Sequence, residues 1–210
     1  MLARKKSSVY QNMYPVALTG GIGSGKTTVV EIFKTQHGID VICADQCAKE
    51  VILLPEVISA IVNQFGAPIL DDGGLIDRQK LRYIISQDSS ARHWLNKLMH
   101  PIIRQQIEEK LKQSHSIYTI IDIPLLTQES LANYPYLKKI ICVCALLERK
   151  LARIIQRDKQ TKDEALALIQ SQISDDERRG FSDFVIDNNG DIKALVPQIT
   201  QIDLKIRKGI

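Results

Sequence analysis

The chain has 210 residues, 28 Lys and Arg against 24 Asp and Glu, and a net charge of +4. That length favours one α/β domain with insertions over two independent domains, and the mild basic excess suits a phosphate-rich small molecule while arguing against nucleic acid. No run of about 18 apolar residues is present, which excludes a membrane-spanning helix. The 4 cysteines lack a C-x-x-C frame and read as buried free thiols of a reduced, cytoplasmic protein in preference to a zinc site.

Arg4-Lys5-Lys6 reads as a solvated leader, with no apolar stretch of signal-peptide length after it. The first of five expected buried strands covers 16–19. Directly after it stands Gly20-Gly21-Ile22-Gly23-Ser24-Gly25-Lys26-Thr27-Thr28, which matches G-x-x-x-x-G-K-[ST] at Gly20, Gly25, Lys26 and Thr27. A triphosphate is a dense anion, so donors must converge on it without obstruction. The glycines let successive N–H groups turn inward as a nest, and the helix starting near Val29 adds its positive dipole end. In this pattern Lys26 reaches the β- and γ-phosphates of ATP, and the Thr27 hydroxyl ligates Mg²⁺.

The other strands are expected at 39–43, 118–123, 139–144 and 184–186, each near-continuously apolar as a sheet covered on both faces requires. With amphipathic stretches between them, this predicts a doubly wound α/β core with right-handed crossovers. The phosphate loop, Asp45, the Pro124 segment and Asn188 all follow strand ends, where such sheets bind ligands. Asp45 has two readings: a carboxylate that orients an acceptor alcohol, or a helix N-cap.

Residues 49–115 exceed what one crossover helix needs. They hold the turn-rich Asp71-Asp72-Gly73-Gly74 and a helical pattern from Ser90 on, through Trp94, Leu95, Leu98, Ile102, Ile107 and Leu111. Pro101 is expected to break or kink that pattern, with His100 in a structural role at the junction. The stretch reads as a substrate-binding insertion, against the plainer reading of a helical elaboration on the sheet. After the fourth strand, Arg149, Arg153 and Arg157 recur at i, i+4, i+8 and share a helix face. They form either a lid that brings charge to the transferring phosphoryl group or a solvated face paired with Glu148 or Asp158. The terminal 205–209 segment reads as a frayed helix end.

Neither an N-K-x-D base-reading sequence nor an apolar strand ending in Asp-Glu is found, so a small-molecule kinase is favoured over a GTPase or a large ATPase. From Pro15 to about Gly190 the chain resembles the dephospho-coenzyme A kinase family. The stretches that carry the resemblance are the phosphate loop with its doubled glycine, Ala44-Asp45, 95–101, Pro124-Leu125-Leu126, Gln156-Arg157-Asp158 and 183–190. It departs from the family pattern at Cys43 (usually Asp), Lys49 (often Arg) and Gln128 (usually Glu, here with Glu129 beside it).

The resemblance implies a P-loop NTPase core with a five-stranded parallel sheet (1–48, 116–147 and 176–210), a helical dephospho-CoA domain (49–115) and a helical lid (148–175). It implies transfer of the ATP γ-phosphoryl group to the ribose 3′-hydroxyl of 3′-dephospho-CoA. Asp45, Lys26 and Arg153 would carry the chemistry, with Arg153 as the lid arginine. The nucleotide would rest on Gly21, Ile22, Gly23, Ser24, Gly25, Lys26, Thr27 and Thr28, with Asn188 and Gly190 bordering adenine and Mg²⁺ on Thr27. A small-molecule substrate and a monomer or weak homo-oligomer are expected, without nucleic acid or membrane. Two rivals stand beside this reading: a nucleoside or nucleoside monophosphate kinase of the same fold, and a non-catalytic ATP-dependent switch.

Overall fold

The computed structural model describes residues 13–210, and Arg4-Lys5-Lys6 lies outside them. The five apolar runs become β1 (Pro15–Thr19), β2 (Asp40–Cys43), β3 (Thr119–Asp122), β4 (Lys139–Cys144) and β5 (Phe184–Asp187). They form one parallel sheet in the order β2-β3-β1-β4-β5. Every residue of β1 and β3 is buried, and all of β4 except Lys139. This explains why these strands read as apolar runs without alternation. In register, Leu18 lies opposite Asp122 and Thr19 opposite Cys142.

The chain leaves β1 toward one side of the sheet and later crosses to β4 on the other, so strand order reverses at β1. The crevice beyond the carboxyl end of such a strand is the usual ligand site of an open α/β sheet. Here the Gly20–Thr28 segment occupies that position and leads into α1 (Lys26–His37). Val29, Ile32 and Phe33 on α1 are buried in the sheet's main apolar cluster with Leu195, Ile199 and Ile202 of α9 (Ile192–Lys208). The chain's last helix is therefore held along its length, with Ile206 still buried near its end.

Residues 43–110 form a separate compact unit; 13–42 and 111–210 form the other. The helical unit contains α2 (Ala44–Val51), α3 (Pro55–Phe65), α4 (Arg78–Gln87) and most of α5 (Ser89–Lys112). Its own apolar cluster gathers Val51, Val57, Ile61, Leu81, Leu95 and Met99. The Trp94 and Phe65 rings meet in a T-shaped arrangement with 5.4 Å between centroids. The expected turn is present: Asp71 Oδ1 accepts from the N–H groups of Gly73 and Leu75, both at 2.9 Å.

Of the expected break or kink at Pro101, the break does not occur. Helix α5 runs unbroken through Pro101, over 24 residues. An interior proline costs about 3 kcal/mol through its missing N–H and its clash with the carbonyl four residues back. Pro101 and Lys97 are both exposed, so water can serve that carbonyl. The buried residues on either side of the proline, Leu95, Met99 and Ile107, keep the helix whole.

Candidate active site

Helix α1 starts at Lys26 with no side-chain cap and no acidic residue in its first turn. Helix starts normally recruit one or the other, so these N–H groups and the positive dipole end are left for an external anion. Two glycines make the preceding curl possible, Gly23 at φ 76° and Gly25 at φ 84°. Space is as limiting as conformation. A Cβ on Gly25 would stand 2.0 Å from Asn188 Nδ2, and one on Gly23 would stand 2.8 Å from the Lys150 carbonyl oxygen. The Lys26 ammonium pairs with the Asp122 carboxylate at the end of β3, while Thr27 and Thr28 are exposed.

The loop's carbonyl groups are held from behind. Arg153, on α6 (Leu147–Asp158), donates from Nη1 to the carbonyls of Gly23 and Ser24, both at 3.1 Å, and from Nη2 to Asn188 O at 2.9 Å. Asn188 Nδ2 adds a bond to Ser24 O at 2.7 Å, and the Asn188 N–H continues the β5 pairing onto Cys144 O. With these two carbonyls held and the Ser24 N–H donating to Gly21 O at 3.0 Å, the bend of the loop is fixed. Of the three arginines at i, i+4, i+8, Arg153 serves the loop, Arg149 is exposed, and Arg157 makes a bidentate pair with its neighbour Asp158 at 2.7 Å.

A second brace comes from the segment after α7 (Lys162–Gln170), including the short helix α8 (Asp175–Gly180), which the sequence reading missed. Gln172 Oε1 accepts from the Ile22 N–H at 2.9 Å and from Arg178 Nη2 at 3.5 Å. Arg178 is only 1% exposed and donates from Nη1 to Ile173 O at 2.6 Å. Asp175 pairs with Lys150 at 2.6 Å and with Arg178 at 3.4 Å, and also accepts from the Ala145 N–H. Cys142 and Cys144 lie close by on one face of β4, buried, with sulfurs 3.2 Å apart; the hydrogen bond with Cys144 and burial push the Cys142 thiol up. All 4 cysteines are free, and among the described residues no cluster of three His, Cys, Asp or Glu could hold a metal.

The remaining expected residues fall as follows. Gly190 is exposed in the turn after β5. Asp45 belongs to the helical unit, exposed in the first turn of α2, where Cys43 and not Asp45 is the N-cap residue. His100 lies on the surface of α5; partial desolvation and Arg104 hold its imidazole pKa below the ordinary value. Lys26, Arg153, Asn188 and the loop thus meet within one unit. Asp122, Gln172, Asp175 and Arg178 join them without having been chosen from sequence. Among the described residues no helix is long and apolar enough to cross a membrane.

A parallel sheet with a Gly-rich loop at its switch point, an Mg²⁺-compatible Thr beside the loop Lys, and an arginine on the following helix layer define a kinase of the P-loop class. Comparison with known proteins narrows the class. The family model for dephospho-CoA kinase matches residues 14–194, and the chain belongs to that family. It is 40% identical over 194 residues to a dephospho-CoA kinase of Legionella pneumophila, covering 92% of this chain and 95% of the relative. Among solved structures it resembles a Thermus thermophilus protein (TM-score 0.81, 25% identity, 93% of this chain and 98% of that one). It also resembles the dephospho-CoA kinase from Campylobacter jejuni (TM-score 0.69, 28% identity, 94% and 98%). These relatives do not favour the nucleoside monophosphate kinase alternative.

Proposed function

We propose that this enzyme moves the γ-phosphoryl group of ATP onto the ribose 3′-hydroxyl of 3′-dephospho-CoA, releasing coenzyme A and ADP. The observation that carries the reading is the uncapped start of α1 after a loop whose Gly23 and Ser24 carbonyls are held by Arg153 and Asn188, with Lys26 at its end. The loop from Gly21 to Thr28 cradles the phosphates, and Lys26 exchanges its contact with Asp122 for the β- and γ-phosphates. Asn188 and Gly190 border the adenine at the end of β5. Arg153 brings a positive charge to the loop it braces.

Thr27, next to Lys26 in the chain, and Asp122, which pairs with Lys26, would hold Mg²⁺ through a hydroxyl and a carboxylate, hard oxygen donors of the kind it takes while keeping several waters. When bound, Mg²⁺ neutralises charge on the β- and γ-phosphoryl oxygens. The helical unit holds the acceptor, and Asp45 orients its 3′-hydroxyl. The hydroxyl oxygen forms a bond to the γ-phosphorus, the bond from that phosphorus to the β,γ-bridging oxygen breaks, and the hydroxyl proton passes to the Asp45 carboxylate. Alignment and charge neutralisation supply most of the acceleration. The enzyme works in the cytoplasm as a monomer or weak homo-oligomer.

Incubation with Mg-ATP and dephospho-CoA, followed by mass spectrometry, is expected to show a product heavier by one phosphoryl group. Lys26→Ala is expected to keep the fold and abolish turnover. Absence of the phosphorylated product with wild-type protein, or turnover surviving in Lys26→Ala, would overturn the reading.

A further inference from the structure

Two buried cations share one carboxylate behind the phosphate loop. Lys150 and Arg178 keep 8% and 2% of their side-chain surfaces, and both pair with Asp175. Asp176 and Glu177, next to Arg178 in sequence, are both exposed, and Glu177 accepts from both the backbone N–H and the hydroxyl of Ser174. Arg178 Nε is buried and finds no hydrogen-bond partner among the described residues. The cluster touches the loop itself. Arg178 Nη1 stands 3.1 Å from where a Cβ on Gly21 would sit, and Gln172 bridges Arg178 to the Ile22 N–H. A buried charge left uncompensated is costly, and its field is weakly screened.

We infer that Arg178 and Lys150 are further nucleotide-affinity residues: the one positive charge that Asp175 leaves unbalanced is compensated by the bound triphosphate through the Gly21–Ile22 shoulder of the loop. This deepens the kinase reading and rests on its assignment of the loop to the phosphates. Neither cation needs to touch the ligand. Each acts through a fixed field, and Arg178 also through Gln172, which fixes the Ile22 N–H.

The inference orders variants by charge. Asp175→Asn raises the net charge of the cluster, while Arg178→Met and Lys150→Met each leave a neutral pair. Calorimetric titration of the full protein with inorganic triphosphate, then with ATP, is expected to show about tenfold weaker binding in the two Met variants. Asp175→Asn is expected to bind more tightly than wild type although its Tm falls, and Arg178→Lys to recover most of the affinity. A merely structural role would weaken binding in parallel with Tm in every variant, including Asp175→Asn. Unchanged affinity in the Met variants, or a shift of the same sign in Asp175→Asn, would sink the inference. If one Met variant does not fold, the other and Asp175→Asn still set the sign. Triphosphate binding does not involve the acceptor, so failure to phosphorylate dephospho-CoA would be a separate result.

Discussion

Asn188 donates its side-chain amide to the carbonyl of Ser24 across 164 residues of sequence, at 2.7 Å. The same Nδ2 atom stands 2.0 Å from the only place a Cβ on Gly25 could take. The end of β5 and the bend of the phosphate loop therefore fit together as one surface, which leaves no room for side-chain growth at Gly25. Asn188→Ala is expected to cost about 1–2 kcal/mol, the usual scale for a buried hydrogen bond lost with its packing. The kinetic consequence is specific: KM for ATP rises severalfold while KM for the acceptor stays near wild type. Gly25→Ala is expected to eliminate nucleotide binding altogether. Paired steady-state kinetics with each substrate varied in turn checks both.

Asp45 makes the sharpest chemical prediction. It stands one residue inside α2, whose N-cap is Cys43, so capping does not account for an acid at this position. A carboxylate in the first turn still gains from the dipole, by about 0.3–1 kcal/mol. Asp45→Asn is therefore expected to lose little stability. Its kcat is expected to fall by about 10²-fold or more, as removal of a general base does, with nucleotide affinity unchanged. A retained kcat in the folded variant would return Asp45 to a structural role.

At the opposite end of α1 the fold uses a buried acid for stability. Asp203 is 5% exposed and accepts from Tyr118 Oη at 2.8 Å and from Arg207 Nε at 2.8–2.9 Å, with His37 Nδ1 at 3.2 Å. Burial and the Asp203 carboxylate push the Tyr118 hydroxyl pKa well up. This cluster ties α9 to the last turn of α1 and to the residue preceding β3. Asp203→Asn leaves Arg207 without its counter-charge. Because Arg207 keeps a third of its side chain in water, the expected loss is about 2 kcal/mol, below the figure for a fully buried pair. Urea denaturation at neutral pH measures it, and turnover at 25 °C should remain close to wild type.

The parts of the molecule legible in the sequence were those set by local chemistry. Five apolar runs gave the five strands to within a residue or two: β1, β3 and β4 are buried and show no polar side, while the half-buried β2 and β5 are still mostly apolar in sequence. The phosphate loop was legible because a tight curl around an anion tolerates few residues, as the spacing around Gly23 and Gly25 shows. Pro101 does not break α5, since its local cost is outweighed by burial along the helix that no single residue announces. Helix α8 went unseen although Ser174-Asp175-Asp176-Glu177 is a capping box, with Glu177 returning to the Ser174 N–H at 2.7 Å. That signal was readable. The roles of Gln172, Asp175 and Arg178 were not: Gln172 meets the Ile22 N–H 150 residues away, Asp175 meets Lys150 on another helix, and the burial of Arg178 comes from packing. Arg153 sat on a basic stripe, but only tertiary structure separates it from Arg157, which turns to its own neighbour.

Acid stability offers a test of a different junction. The Asp40 carboxylate, at the start of β2, accepts from Ser114 Oγ and the His115 N–H at 2.8 Å and from the Ser116 N–H at 3.1 Å. The Ser114 hydroxyl and the His115 N–H hold its pKa below the usual 3.8 despite some opposing desolvation. A depressed carboxylate binds its proton more weakly in the folded protein than in the unfolded chain. Its contribution is thus fully present above the unfolded value of about 3.9 and fades as pH falls through the folded one. Asp40 lies at the surface, so the contribution is limited to about 1 kcal/mol. The stability gap between wild type and Asp40→Ala is expected to hold steady from pH 7 to 5 and to narrow below pH 4. Urea midpoints measured across that range would show it, and a gap that widens in acid would mean that the bonds to 114–116 do not favour the charged form.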